Sequence, residues 1–144
     1  METGVTNTDL LAFAAILVSL LSALYAKWAL LEAKKANQLA LHQHQKEIYD
    51  AFFLLKSHMT QHWDGAEMSE VAKFYYPSKN AVFYFDGQVS KKIYEYFDAC
   101  FSIADGNRGE QNKEKRLDLI DQAKATDKLA STLENKLVGL ISVA

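Results

Sequence analysis

The stretch Lys73-Phe74-Tyr75-Tyr76-Pro77-Ser78-Lys79-Asn80 gathers two amines, aromatic rings, a hydroxyl and an amide within eight residues. Such groups stack on bases, hold phosphates and read base edges in single-stranded or cyclic nucleotides. Lys73, Tyr75, Tyr76, Lys79 and Asn80 are therefore candidate ligand-binding residues. Arg108, one of only two arginines and set on a glycine-bearing loop, adds a candidate phosphate contact. The competing reading is structural: Phe74 and Tyr76 fill a core, and the charges are solvated.

Other chemistry is sparse. His58 and His62 lie four apart and would share one face of a helix, whereas His42 and His44 would not. The residues between the first pair are Met59-Thr60-Gln61, so the glutamate of a zinc-protease HExxH motif is missing. All four histidines are expected at the surface, without metal. The chain has no glycine-rich phosphate loop, no GxSxG and no paired cysteines, which argues against an enzyme and against a bound cofactor. A single cysteine, Cys100, excludes an internal disulfide framework and fits a reducing compartment. Its setting, Phe97-Asp98-Ala99-Cys100-Phe101, offers no cation to favour a thiolate, so it reads as a small buried hydrophobe.

These residues must be carried by a chain of 144 residues, enough for one domain or for an anchor plus a small domain. The formal charge of −2 leaves no broad basic surface for nucleic acid, and no DNA partner is expected. The charge is unevenly placed. All 16 Lys and Arg fall at or after Lys27, while the first 26 residues carry only Glu2 and Asp9. Leu10 to Ala26 is an uncharged apolar run that would rise ~25 Å as a helix, slightly short of a ~30 Å hydrocarbon core. Tyr25, Lys27 and Trp28 make up the difference at the headgroup level. A cleaved signal peptide would need a basic start and a small-residue cleavage site, and the start here is acidic. The positive-inside rule then places the short N-terminus outside and the large C-terminal part in the cytoplasm, as a single-pass protein of the bacterial inner membrane.

Within this helix, steps of three and four select Ala12, Ala15, Ser19, Ser22, Ala26, Ala29, Ala33, Ala36 and Ala40, every one Ala or Ser. Such steps average 3.5 residues, the repeat that keeps one stripe facing a partner helix. Small side chains let backbones approach closely, the main way helices associate in lipid. The stripe predicts a homo-oligomer, with packing inside one chain or a plain anchor as alternatives.

No Gly or Pro occurs between Val5 and Asp64, so the helix is expected from about Asp9 to His62, capped by Thr8 or Asp9. It should break or bend near Ala40 and end at Asp64-Gly65, with the glycine in a left-handed cap. Ile48, Phe52, Leu55 and Met59 recur at helical spacing and should enter a soluble core. Glu67 to Tyr75 reads as a short helix, Pro77 as a turn, and Ala81 to Phe85 as an extended entry to the next helix, with a strand as the alternative. That helix, about Gln88 to Ala104, shows Val89, Ile93, Phe97, Cys100 and Ala104 on one face. A polar loop over 107–112 precedes a last helix, about Lys113 to Ser142, seamed by Leu119, Ala123, Thr126, Ala130, Leu133, Leu137 and Leu140. The fold class is mainly α: a tail over 1–9, a transmembrane helix over 10–31, a stalk over 32–64 and a cytoplasmic helical domain over 65–144.

Two stretches, Glu32 to Ala40 with Lys46 to Phe53, and Phe83 to Val89 with Tyr96-Phe97, resemble a diffuse set of small bacterial membrane-anchored proteins, mostly of undefined function. The overall plan also resembles the membrane effectors of type III CRISPR antiviral defence, which respond to cyclic oligoadenylate. That likeness is architectural and carries over no binding residue. It implies a cyclic nucleotide bound by a symmetric homo-oligomer, with a tetramer matching a cyclic tetranucleotide, and a rearrangement of membrane helices that permeabilises the bilayer. The alternative function is a membrane-anchored helical module that recruits a cytoplasmic partner protein.

Overall fold

The computed structural model describes residues 6–109 and 112–142. It is mainly α, and no strand occurs among the described residues. The five α-helices are α1 (Asn7–His62), α2 (Met68–Ala72), α3 (Tyr75–Asn80), α4 (Gly87–Asn107) and α5 (Lys113–Ser142). The chain divides into two compact units, Met1–Ala40 and Leu41–Ala144.

The first unit is the N-terminal part of α1. Its start is a reciprocal cap: Thr6 Oγ1 accepts from the Asp9 amide at 3.3 Å, and Asp9 Oδ2 accepts from the Thr6 amide at 3.0 Å. The cap thus falls on Thr6, not Thr8 or Asp9, because a capping box needs its two members three residues apart. From there α1 is long and apolar enough to cross a membrane, and none of its most apolar window is buried inside the chain. The nine stripe positions from Ala12 to Ala40 are all exposed. Ser19 Oγ donates to the Ala15 carbonyl at 2.8 Å, one turn back in its own helix. The helix has no break at Ala40. Of the expected tail over 1–9, residues 1–5 lie outside the described residues.

In the second unit Ile48, Phe52, Leu55 and Met59 of α1 are buried, as their spacing predicts. Phe52 is fully enclosed, with its ring 5.1 Å from Tyr96 in an edge contact and 6.4 Å from Phe74. Removing such a ring from water contributes about 1.5–3 kcal/mol. Around it pack Val71, Ile93, Cys100, Ile103, Leu133 and Leu137. The Lys56 amine pairs with Glu134 and ties α1 to α5 where both side chains are three-quarters buried. The predicted face of α4 is buried throughout, with Asp86 as its cap, accepting from the Gln88 and Val89 amides at 2.8 and 2.9 Å. On α5, Leu119 to Leu137 of the predicted seam are buried, while Leu140 is exposed.

Four local expectations give way. The left-handed residue after α1 is Trp63, at φ 48°, and no described glycine has positive φ. Such backbone costs an ordinary residue roughly 1–2 kcal/mol. The reversal falls one residue before Asp64, whose carboxylate accepts from Arg116 Nε of α5 at 3.2 Å. The short helix over Glu67 to Tyr75 is two helices, α2 and α3, stepped at Phe74, which is buried and turns the chain. Pro77 lies inside α3 and makes no turn. As the third residue of a helix its missing N–H had no intrahelical partner to lose, and the first helical bond closes after it, from the Ser78 amide to the Phe74 carbonyl at 3.0 Å. Ala81–Phe83 is a 3-10 turn rather than an extended run or a strand, its amide bonds closed locally by Tyr84 and Phe85 onto the Ala81 carbonyl. Helix α4 also continues past Ala104 to Asn107. A Cβ built on Gly106 would lie 2.7 Å from Leu119 Cδ2, so glycine there lets α5 pass close to the last turn of α4. Residues 110 and 111 of the expected polar loop lie outside the described residues.

Candidate functional site

Helix α3 and the turn after it position the aromatic and amine groups singled out above. Phe74, buried against Phe52, pins the entry to α3, and buried Ser78 donates its hydroxyl to the Tyr75 carbonyl at 2.8 Å. With Phe74 and Ser78 facing inward, the intervening residues are divided between two sides of the helix. The structural reading of Phe74 therefore holds and that of Tyr76 does not: Tyr76 is 73% exposed.

The candidate residues fall into different surroundings. Tyr76 and Asn80 line an open groove of about 390 Å³ together with His44, Glu47 and Tyr84. Here the His44 ring stacks on Tyr84 at 4.7 Å between centroids, and His44 Nδ1 lies 3.2 Å from Glu47 Oε2. Gln45 Nε2 donates to the Tyr84 carbonyl at 2.7 Å and fixes that tyrosine beside α1. Lys79 lies in a neighbouring groove with Val82, Lys91 and Tyr94, its amine 4.1 Å from the Tyr94 ring centroid and 5.9 Å from that of Tyr75. Tyr75 also makes edge contacts with Tyr76 at 5.3 Å and Phe97 at 5.7 Å. Lys73 lines a third depression with His58, Leu54 and Glu70, and its amine is 2.6 Å from both Glu70 oxygens. That hydrogen bond holds the Glu70 carboxyl below the usual carboxylate range. Arg108 follows the end of α4 and lines none of these grooves. Only Tyr76 and Asn80, of the six candidates, share one groove.

His44, Glu47 and Tyr84 were not foreseen as site residues. A His-x-x-Glu spacing on a helix is a weak signal, and nothing in sequence announces that residue 84 meets residue 44.

His58 and Cys100 serve packing. His58 Nε2 accepts from the Glu67 amide at 3.0 Å, and its ring lies 4.4 Å from that of His62. Partial burial, then the neighbouring His62, lowers the pKa of His58, favouring the neutral ring that this bond requires. Among the described residues no three His, Cys, Asp or Glu side chains come together as a metal site. Cys100 is fully enclosed and burial pushes its thiol up to about 12, which keeps it protonated and unreactive.

In class, then, the chain is a mainly α protein with an N-terminal helix suited to a membrane and a helical unit that presents open aromatic grooves. Comparison with known protein families, with curated proteins and with solved structures finds no match.

Proposed function

We propose that the chain is a single-pass protein of the bacterial inner membrane, with its N-terminus outside and its helical unit in the cytoplasm, and that this unit is a binding module recruiting a partner protein. The observation that carries this reading is the exposure of large apolar groups around α3. Tyr76, Val82 and Phe83 are 73%, 60% and 76% exposed, beside a groove that already holds stacked rings. Aromatic groups held in water on a rigid helical base are what partner surfaces bury. Substituting Phe83→Ser and Val82→Ser leaves the core untouched. It should abolish co-purification of a specific partner from native membranes while the protein stays folded by circular dichroism. Retention of that partner by the doubly substituted protein would refute the reading.

A second reading is an oligomeric effector whose cytoplasmic unit binds a cyclic oligoadenylate and rearranges the membrane helices, permeabilising the bilayer in antiviral defence. It is favoured by the stripe from Ala12 to Ala40, which is wholly exposed and so free to receive copies of itself. Liposomes carrying the protein should then leak dye when cyclic tetraadenylate is added, and Ala15→Leu with Ser19→Leu should stop the leak. The recruitment reading expects no leak and an unaltered partner interaction in that variant.

A further inference from the structure

We infer that the groove between α1 and α3 is a receptor for a guanidinium, the arginine side chain of the protein partner, stacked on tyrosine and paired with Glu47. This rests on the recruitment reading and names the contact by which recruitment occurs. Among the described residues lining the groove, Glu47 carries the one fixed charge, and it is negative. The nearest lysines are turned to other work: Lys46 pairs with Asp50 at 3.6 Å, and Lys79 sits over the Tyr94 ring in the adjacent groove. A phosphate entering here would meet a carboxylate and, among the described lining residues, no lysine or arginine. A planar cation meets the opposite situation, with the Tyr76 ring, the Tyr84 face that His44 leaves uncovered, and Glu47 Oε1, the carboxylate oxygen not engaged by His44, to accept an N–H bond.

The geometry also favours a planar group over a compact ammonium. The Tyr84 ring is braced on one side by His44, and its backbone carbonyl is held by Gln45, so its position is set before a ligand arrives. Asn80, on the same wall as Tyr76, offers an amide oxygen to the guanidinium edge that Glu47 leaves unpaired. The volume of about 390 Å³ leaves room for the aliphatic stem of an arginine and its flanking backbone.

The test uses the full chain in detergent micelles, with ring signals of His44, Tyr76 and Tyr84 followed by NMR during titration with acetyl-arginine-amide. Acetyl-citrulline-amide, the same shape without the charge, is the control, and adenosine monophosphate is the third arm. Expected is a saturable shift of the His44 and Tyr84 rings with the arginine probe. Citrulline should bind at least fivefold more weakly, and Glu47→Gln should cost about as much as removing the charge from the probe. Tyr76→Leu, at an exposed position that tolerates change, should weaken the arginine probe severalfold. Equal binding of citrulline, an unaltered affinity in Glu47→Gln, or saturation of these rings by the nucleotide and not by arginine overturns the inference. Partner co-purification after Glu47→Gln separates the two claims. Retention of the Phe83-dependent partner by Glu47→Gln, or a partner captured by the native chain that binds no arginine probe, defeats the guanidinium assignment alone, whereas absence of any partner defeats the recruitment reading.

Discussion

Phe52 and Phe53 are adjacent in α1, yet one is fully enclosed and the other half exposed, so their substitution by alanine measures how far the second unit depends on its α1 segment. Phe52→Ala removes a ring that meets Tyr96 at 5.1 Å, Phe74 at 6.4 Å and Tyr49 at 6.4 Å. Large-to-small core changes of this kind cost about 3–5 kcal/mol, and the aromatic neighbours place this one toward the upper end. For a unit of this size that loss lowers Tm by about 12–20 °C. Phe53→Ala should cost less than about 1 kcal/mol, since the site is open to solvent on one side. Thermal unfolding of the full chain in detergent, followed by near-ultraviolet circular dichroism, reads the tertiary packing around these rings, and the contribution of Tyr25 and Trp28 in the N-terminal helix is common to both variants. If the two variants melt within about 3 °C of each other, the core closes without α1 and the reasoning fails; the tolerance reflects the ~4 °C that 1 kcal/mol produces.

Asp86→Ala deprives the first turn of α4 of its two side-chain hydrogen bonds and should cost about 1 kcal/mol in urea unfolding, with Asp86→Asn recovering most of it. The lowered pKa of His58 makes its contribution to stability fully present above its ordinary value of 6.5 and lost as pH falls through the lowered one, since the folded state binds the proton less readily than the unfolded state. His62, Glu67, Glu70 and Lys73 face or act on it, and a melting point that drops between pH 7.5 and 5 should drop less in His58→Gln. Cys100 in the native chain should react with a thiol reagent at pH 8 on the order of a thousandfold more slowly than in the urea-unfolded chain, because so little thiolate is present. Comparable rates would show that the α4 interior is open.

Where one periodicity ran uninterrupted, the fold could be read directly. Ile48 to Met59, Val89 to Ala104 and Leu119 to Leu137 are buried because each repeats every three or four residues and a helix has one way to use that pattern. The region between residues 63 and 86 resisted, for reasons that lie in tertiary contacts. Pro77 signals a turn only if its neighbours need its N–H, and the first turn of α3 does not. Gly65 invites a left-handed cap, but the reversal occurs two residues earlier, at Trp63, whose residue type does not announce it. Phe83 and Tyr84 have strand-like side chains, yet a lone run with no partner strand closes into a 3-10 turn that leaves Phe83 in water. The groove was half legible. Tyr76 and Asn80 belong to the eight-residue segment that drew attention, whereas His44 and Glu47 come from a helix some thirty residues earlier and are brought there by packing alone.

The hydroxyl of Ser19, bonded to the carbonyl of Ala15, bears on biogenesis. A polar side chain entering hydrocarbon without a partner would penalise insertion of a solitary chain, and so would force assembly to accompany it. Here the donor is satisfied before any neighbour arrives. At this residue nothing compels a second chain to accompany entry of the helix into a bilayer.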